Sequence, residues 1–247
     1  MRVDVITLHA VQNYGSVLQA LATQKLLEKH GCEVKIINYI REDVRYKNIL
    51  QARSNGNIIK KIVLYPNVKK WKKVFKGFCN EYLNLTDRSY TTENDFKDYP
   101  LDADMFCTGS DQVWNSKWNQ GIISPLYLSF VPEDKFRFSL AASFGQDKLS
   151  QDEVKATKKY IEKYNCISVR ESSGKKIIEQ QYKYPYAEHI IDPTLMLDDD
   201  EWRRFANNKK TTEDYILIYN LNRSKEFDEY AKKLSRKTGL KLLRICN

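Results

Sequence analysis

The stretch from Val3 to Tyr39 constrains the fold more than any other part of the chain. Val3-Asp4-Val5-Ile6-Thr7 is an unbroken and largely β-branched run, which suits a buried parallel strand. A polar loop follows, His9 to Gly15. Ser16 to His30 then carries Val17, Leu18, Leu21, Leu26 and Leu27 at helical spacing. Gly31 ends that helix as a C′ glycine does. Val34 to Tyr39 is the next strand. Strand, helix and strand in this order predict a βαβ unit with a right-handed crossover and a parallel sheet. Ligands of such sheets gather at the C-terminal ends of strands, where helix N-termini point.

The remaining pattern extends that α/β plan. Strands are expected at Ala103 to Cys107, Phe136 to Ala142, Cys166 to Arg170 and His189 to Ile191. Helices are expected from Thr91 or Thr92 as cap, at Asp152 to Tyr164, and at Lys175 to Gln181. Residues 41 to about 90 read as a basic insertion in this domain, with one or two amphipathic helices over Arg41 to Leu85. Its run Lys69-Lys70-Trp71-Lys72-Lys73 is either a solvated basic face or a contact for an anionic or lipid-linked acceptor. After Asp198-Asp199-Asp200 the pattern restarts: strand Tyr215 to Asn220, helix Ser224 to Thr238, strand Lys241 to Ile245. The expected boundaries are therefore 1–197 and 198–247. One βαβ unit covers only part of a sheet, so the second domain is expected to be incomplete and the whole protein longer.

Composition narrows the function. The net charge is +9, which favours anionic partners such as phosphorylated metabolites or pyrophosphate-linked lipids. No zinc finger, helix-turn-helix or aromatic RNA-binding motif is present, which argues against nucleic acid. The five cysteines, Cys32, Cys79, Cys107, Cys166 and Cys246, are odd in number and widely spaced, and read as buried thiols of a reducing cytoplasm. No metal site is expected from so few clustered ligands. No stretch has the length and apolarity of a membrane span or the layout of a signal peptide.

Several polar loops follow predicted strands and should share one sheet edge. Asn13-Tyr14-Gly15-Ser16 stands at a helix N-terminus, where Gly15 permits close backbone approach, but it is neither a dinucleotide nor a phosphate-loop motif. Gly109-Ser110-Asp111-Gln112-Val113-Trp114-Asn115 is the most chemically loaded loop. Asp111 can orient a sugar hydroxyl or take its proton, or it can cap a helix. Trp114 reads as core. Arg170 ends a strand beside Glu171 and before Ser173, well placed for a phosphate or carboxylate. Asp192-Pro193-Thr194 reads as a structural turn. His9 can serve an anion or a proton transfer, although a lone histidine at a strand end is more often structural. His30 reads as a helix cap and His189 as structural.

Five of these stretches, between His9 and Thr194, together resemble the polysaccharide pyruvyl transferase family. They are His9 with Asn13-Tyr14-Gly15-Ser16-Val17-Leu18-Gln19-Ala20, Gly109 to Asn115, Ser143-Phe144-Gly145, Ser168 to Ser173, and Ile191 to Thr194. The resemblance implies two Rossmann-like domains arranged as in GT-B glycosyltransferases. It implies transfer of the carboxyvinyl-derived unit of phosphoenolpyruvate to two hydroxyls of a sugar, giving a cyclic pyruvate ketal and phosphate. Such work belongs to cell-surface or exopolysaccharide assembly, placed at the cytoplasmic side of the membrane, and requires no cofactor. By resemblance Asp111 is the catalytic candidate at a hydroxyl. Arg170 grips the donor, with Asn13, Tyr14, Gly15, Ser110, Gln112, Asn115 and Ser173 lining the site. The family's acid/base histidine lies in a Ser-Phe-His-Gly-like or Arg-Leu-His-Gly-like motif, which His9, His30 and His189 do not match. This chain alone is accordingly expected to turn over little. Two competing expectations are a GT-B glycosyltransferase using a nucleotide sugar, and a non-catalytic fragment that binds a partner.

Overall fold

The computed structural model describes residues 1–206, 213–220 and 224–245, the side chain of Tyr46 excepted. The chain divides into two compact units, Met1–Asp198 and Asp199–Asn247. The first unit contains strands β1 (Arg2–Ile6), β2 (Glu33–Tyr39), β3 (Leu85–Tyr90), β4 (Met105–Thr108), β5 (Phe136–Ala142), β6 (Cys166–Val169) and β7 (Glu188–His189). Its helices are α1 (Tyr14–Lys29), α2 (Tyr46–Ser54), α3 (Ile58–Tyr82), α4 (Glu93–Asp98), α5 (Gln151–Ile161) and α6 (Ser172–Lys176). The second unit holds α7 (Asp199–Arg203) and the parallel pair β8 (Tyr215–Tyr219) and β9 (Lys241–Ile245), joined through α8 (Lys225–Thr238).

The sheet of the first unit is parallel throughout and ordered β3-β2-β1-β4-β5-β6-β7. It is the expected α/β architecture, a Rossmann-like sheet with helices around it. The order reverses between β1 and β4. Chains leave these two strands in opposite directions, so a crevice opens above their C-terminal ends. Their burial fits the reading of doubly covered strands: Val3, Val5, Ile6, Phe106 and Cys107 are all 0–1% exposed.

Local chemistry sets the element ends. Asn13 caps α1 by accepting from the Ser16 backbone N–H, and Gly31 adopts a left-handed φ of 80° just beyond it. The His30 ring bonds the Leu26 carbonyl in the last turn, the capping role expected for it. Thr92 and Asp95 form a reciprocal capping box at α4. The basic helical insertion resolves into α2 and α3, but it stops short of residue 90. Leu85–Tyr90 is an edge strand of the sheet, paired with β2. Its Asp87, Arg88 and Ser89 are exposed, so no apolar alternation marked it.

The core beneath the crevice is aromatic. Trp114 is fully buried, as expected, and its ring stacks on Tyr127 and meets Tyr164 edge-on. Its indole N–H donates to the Leu126 carbonyl at 3.2 Å, so burial leaves no polar atom unpaired. The thiols correct one expectation. Cys79 and Cys107 are buried, but Cys32 is only partly so and Cys166 is exposed at the start of β6; Cys246 lies outside the described residues.

Candidate functional site

The loops after β1 and β4 flank the crevice, and a buried polar relay ties them together. Gln19 on α1 donates to Thr7 Oγ1 at 2.8 Å, and Thr7 donates to the Ser110 carbonyl at 2.9 Å. Above this relay Ser16, in the first turn of α1, donates its hydroxyl to Asp111 Oδ2 at 2.6 Å. The switch point is thus bridged by one short hydrogen bond to a carboxylate.

Asp111 caps no helix, contrary to one expectation. It has a left-handed φ of 79° and its Oδ1 accepts from the Gln112 N–H at 2.8 Å, and the following residues are turns. A bridge to Ala142 and the bond from the Ser143 N–H to its carbonyl fix its backbone against β5. The loop is therefore an extension of the sheet edge, and Asp111 is held by main-chain geometry on one side and Ser16 on the other.

Arg170 stands across from it, directly after β6. Its Nη1 donates to Asp192 Oδ2 at 2.9 Å and its Nε to Glu171 Oε1 at 3.2 Å, while Asp111 Oδ1 lies 4.0 Å from Nη1. The pairing with Glu171 foreseen as a mere surface contact is real, but it belongs to a cluster in which three carboxylates face one guanidinium. Burial works against the Arg170 charge, yet the three carboxylates more than offset it and its pKa is raised. The Asp192 carboxyl is lowered. Burial alone would raise it, but the Thr194 N–H and hydroxyl and the Arg170 guanidinium outweigh that. A guanidinium has five N–H donors. Nη2 makes no hydrogen bond to a described protein group, so donors remain for a ligand.

Asp192 carries more than the structural turn expected of it. It caps the Pro193–Leu195 turn through Oδ1, and through Oδ2 it reaches Arg170 and Ser110. Ser143 donates to Glu171 Oε1 at 2.6 Å and accepts from the Gly145 N–H, extending the cluster to the loop after β5. Ser16, Glu171, Asp192 and Ser143 were not among the sequence candidates for the site. All four sit in motifs singled out there, and only the strand order reveals that they meet.

The other candidates divide. Ser110 is fully buried, with its hydroxyl shared between the Ala141 carbonyl and Asp192. Gln112 and Asn115 bond each other at 2.6 Å, and Asn115 is 6% exposed. These side chains build the loop. Asn13 is spent on its cap, the Tyr14 ring leans on Phe75, and Gly15 is exposed in the first turn of α1. Ser173 is the second residue of α6 and partly exposed, and no side chain caps that helix. His9 is not at the cluster. It is 2% exposed and faces Asn38 at 3.5 Å, and burial lowers its pKa against the opposing influence of Asn38 and the Thr7 backbone. His189 donates to the Arg170 carbonyl at 3.2 Å, a structural role.

Comparison with curated proteins and with solved structures returned no significant match. A family model described as polysaccharide pyruvyl transferase matches residues 13–247, which takes in every loop of the crevice from Asn13 onward. The chain belongs to the polysaccharide pyruvyl transferase family.

Proposed function

We propose that this protein forms a pyruvate ketal on a saccharide, with phosphoenolpyruvate as donor, and that the crevice between β1 and β4 holds the reacting groups. The observation that carries the reading is the Ser16–Asp111 bond across the switch point, with Arg170 4.0 Å from the same carboxylate. A base and a cation side by side are what the chemistry asks for. Protonation of the donor's methylene carbon makes its neighbouring carbon electrophilic. One sugar hydroxyl adds there, and a second displaces phosphate and closes the ring. Of the two hydroxyl protons, one is balanced by the new methyl group and the other by the departing phosphate. Asp111 takes a hydroxyl proton, and the unspent N–H groups of Arg170 hold the donor's phosphate or carboxylate. Asn13, Tyr14 and Gly15 line the crevice from α1, Gln112 and Ser173 from the other loops, and Ser110 and Asn115 shape its wall from beneath.

The work is assigned to cell-surface or exopolysaccharide assembly on the cytoplasmic side, on an acceptor that is lipid-linked. Support comes from α3. Ile58, Ile59, Ile62 and Val63 are 67–74% exposed on its first turns, interleaved with Lys60 and Lys61, a composition suited to an anionic lipid surface. Among the described residues no helix is long and apolar enough to cross a membrane, so this contact is peripheral.

The test is calorimetric titration with phosphoenolpyruvate. Arg170→Ala should weaken binding by roughly 10- to 100-fold, the loss of one or two charge-assisted bonds at about 1.5–3 kcal/mol. Asp111→Asn should bind at least as tightly as the unaltered chain. Unchanged affinity in Arg170→Ala would remove the donor from this cluster.

A further inference from the structure

The helical insertion carries almost all of the chain's net charge. Residues 41–84 hold eleven Lys and Arg against three Asp and Glu, and the rest of the chain is nearly balanced. Seven of those lysines belong to α3, whose single acid, Glu81, stands in its last turn. The buried residues of α3 are Val68, Phe75 and Cys79, all on one side of the helix. At 3.6 residues per turn, Ile59, Ile62, Val63 and Pro66 fall on the opposite side, and Lys70 and Lys73 continue the same stripe. Its aliphatic residues and its lysines are all exposed. From Ile59 to Lys73 the stripe runs about 21 Å, at 1.5 Å per residue.

Contiguous exposed aliphatic residues of this kind mark a contact surface. The chemistry of the stripe selects the partner. Aliphatic residues followed by lysines, with no acid between them, match the boundary of an anionic bilayer. There isoleucine enters the acyl region and lysine extends its stem to reach phosphate. A second copy of the chain fits poorly. A two-fold pairing of stripes would set lysines against lysines or against isoleucines. The helix is also braced for such a contact. An apolar seam lined by Leu50, Ile62 and Tyr65 joins α2 to it, and the Arg53 guanidinium of α2 lies 4.4 Å from the Trp71 ring centroid.

We propose that the outward stripe of α3 lies flat in the surface of an anionic phospholipid bilayer, with Ile59, Ile62 and Val63 immersed and Lys70 and Lys73 on headgroup phosphates. This deepens the peripheral contact assigned above, and its purpose rests on the lipid-linked acceptor proposed there; the docking itself uses neither donor nor saccharide. The opposite side of the same helix meets the β1–α1 loop and the start of α1. Phe75 packs on the Tyr14 ring, and the Cys79 thiol donates to the His9 carbonyl at 3.5 Å. Docking on this stripe therefore holds that loop, and the crevice it flanks, one helix away from the bilayer.

Co-flotation of the whole chain with phospholipid vesicles, without donor or saccharide, tests this. Mixed phosphatidylcholine–phosphatidylglycerol vesicles should bind the chain about tenfold or more tighter than pure phosphatidylcholine. Lys70→Glu/Lys73→Glu should weaken that binding about 25-fold or more, roughly fivefold for each lysine charge lost, with urea unfolding unchanged. Ile59→Ser/Val63→Ser should weaken it at least about tenfold, again with unfolding unchanged. Lys232→Glu/Lys233→Glu on α8 makes the same charge change elsewhere and should alter binding by no more than about twofold. An equal loss there would reduce the binding to net charge and overturn the proposal. Equal binding to neutral and anionic vesicles, or no flotation with either, would overturn it as well. Self-association of the chain that Ile59→Ser/Val63→Ser abolishes would do the same, by giving the stripe to a second copy. If the chain floats but calorimetry shows no binding of phosphoenolpyruvate, the docking stands and the pyruvyl-transfer reading falls. If phosphoenolpyruvate binds and the chain does not float, the docking falls alone.

Discussion

Replacing Asp192 by Asn removes one charge and almost no volume, yet it should cost the fold heavily. Oδ1 accepts from the Thr194 N–H at 3.0 Å and its hydroxyl at 2.7 Å. Oδ2 accepts from Arg170 Nη1 at 2.9 Å and lies 3.1 Å from Ser110 Oγ. Each oxygen thus faces an N–H that can only donate. An amide has one oxygen and one NH₂, so whichever way it turns, a donor meets a donor. The cheaper arrangement keeps the oxygen on Arg170 and orphans the Thr194 N–H. The loss is one hydrogen bond to a charged acceptor plus a poorly solvated N–H, about 2–4 kcal/mol in all. At that size the Tm of a unit this long falls by roughly 5–15 °C. Urea unfolding measures it, with the slope against denaturant unchanged. The pH dependence adds a signature. The Asp192 pKa is depressed in the fold, so its contribution is present above the unfolded carboxyl value of about 3.9 and fades only as pH drops through the lower folded value. The gap between Asp192→Asn and the unaltered chain should therefore be flat from pH 5 to 8 and narrow below about pH 4. A variant within about 0.5 kcal/mol of the unaltered chain would refute the donor-against-donor argument.

Two further outcomes follow from equally local geometry. Gly145 sits at φ 57°, and a Cβ there would come 2.4 Å from Asn115 Nδ2 and 2.8 Å from Gln112 Oε1, so Gly145→Ala should break their bond and cost about 2–4 kcal/mol in urea unfolding. Gly31→Ala, equally left-handed at φ 80° but with open space around it, should cost only about 1 kcal/mol, and equal costs would contradict the steric account. His9 has a lowered pKa, so the unfolded chain binds its proton first as pH falls below about 6.5. Relative to a His9→Gln variant, stability should then decline by up to about 1.4 kcal/mol per pH unit until the folded imidazole titrates; a pH-independent difference would place the ring in a solvated setting.

What the sequence disclosed depended on whether a residue's partners are near it in the chain. β1 and β2 were legible because runs rich in β-branched residues, Val5 and Ile36 among them, are buried in the sheet, and Gly31 marks the stop of α1; the apolar spacing inside α1 was a looser guide, since Leu18 is exposed while Gln19, Thr23 and Gln24 are buried. β3 was not, because only Thr86 and Tyr90 of its six residues are buried, and an edge strand in solvent carries no apolar alternation. The Gly109–Asn115 loop stood out by composition, but Asp111 looked like a helix cap until its positive φ and its bridge to Ala142 were seen. Asp192 looked like a turn residue because its Thr194 bonds are local. Its bonds to Ser110 and Arg170 span 82 and 22 residues, and only the strand order brings those together.

That long-range cluster poses an electrostatic question that the +9 net charge of the chain conceals. Around Arg170 the balance is three carboxylates to one cation, whereas α3 carries seven lysines and one acid. At 4.0 Å and an effective dielectric near 20, Asp111 and Arg170 attract by at most about 4 kcal/mol. That is comparable with what a bound phosphate would gain from the same guanidinium, so carboxylate and donor compete for it. In the proposed reaction the competition changes as the chemistry proceeds. When Asp111 takes a hydroxyl proton it loses its charge, and its hold on Arg170 weakens as negative charge gathers on the departing phosphate. The guanidinium then stabilises the leaving group more strongly than the bound donor, which is the differential that lowers a barrier. Asp192 and Glu171 keep the guanidinium in place throughout, because neither takes part in the proton transfer. Asp111→Asn makes the change permanent: it should tighten donor binding in the calorimetric titration, and the relief would no longer depend on the reaction.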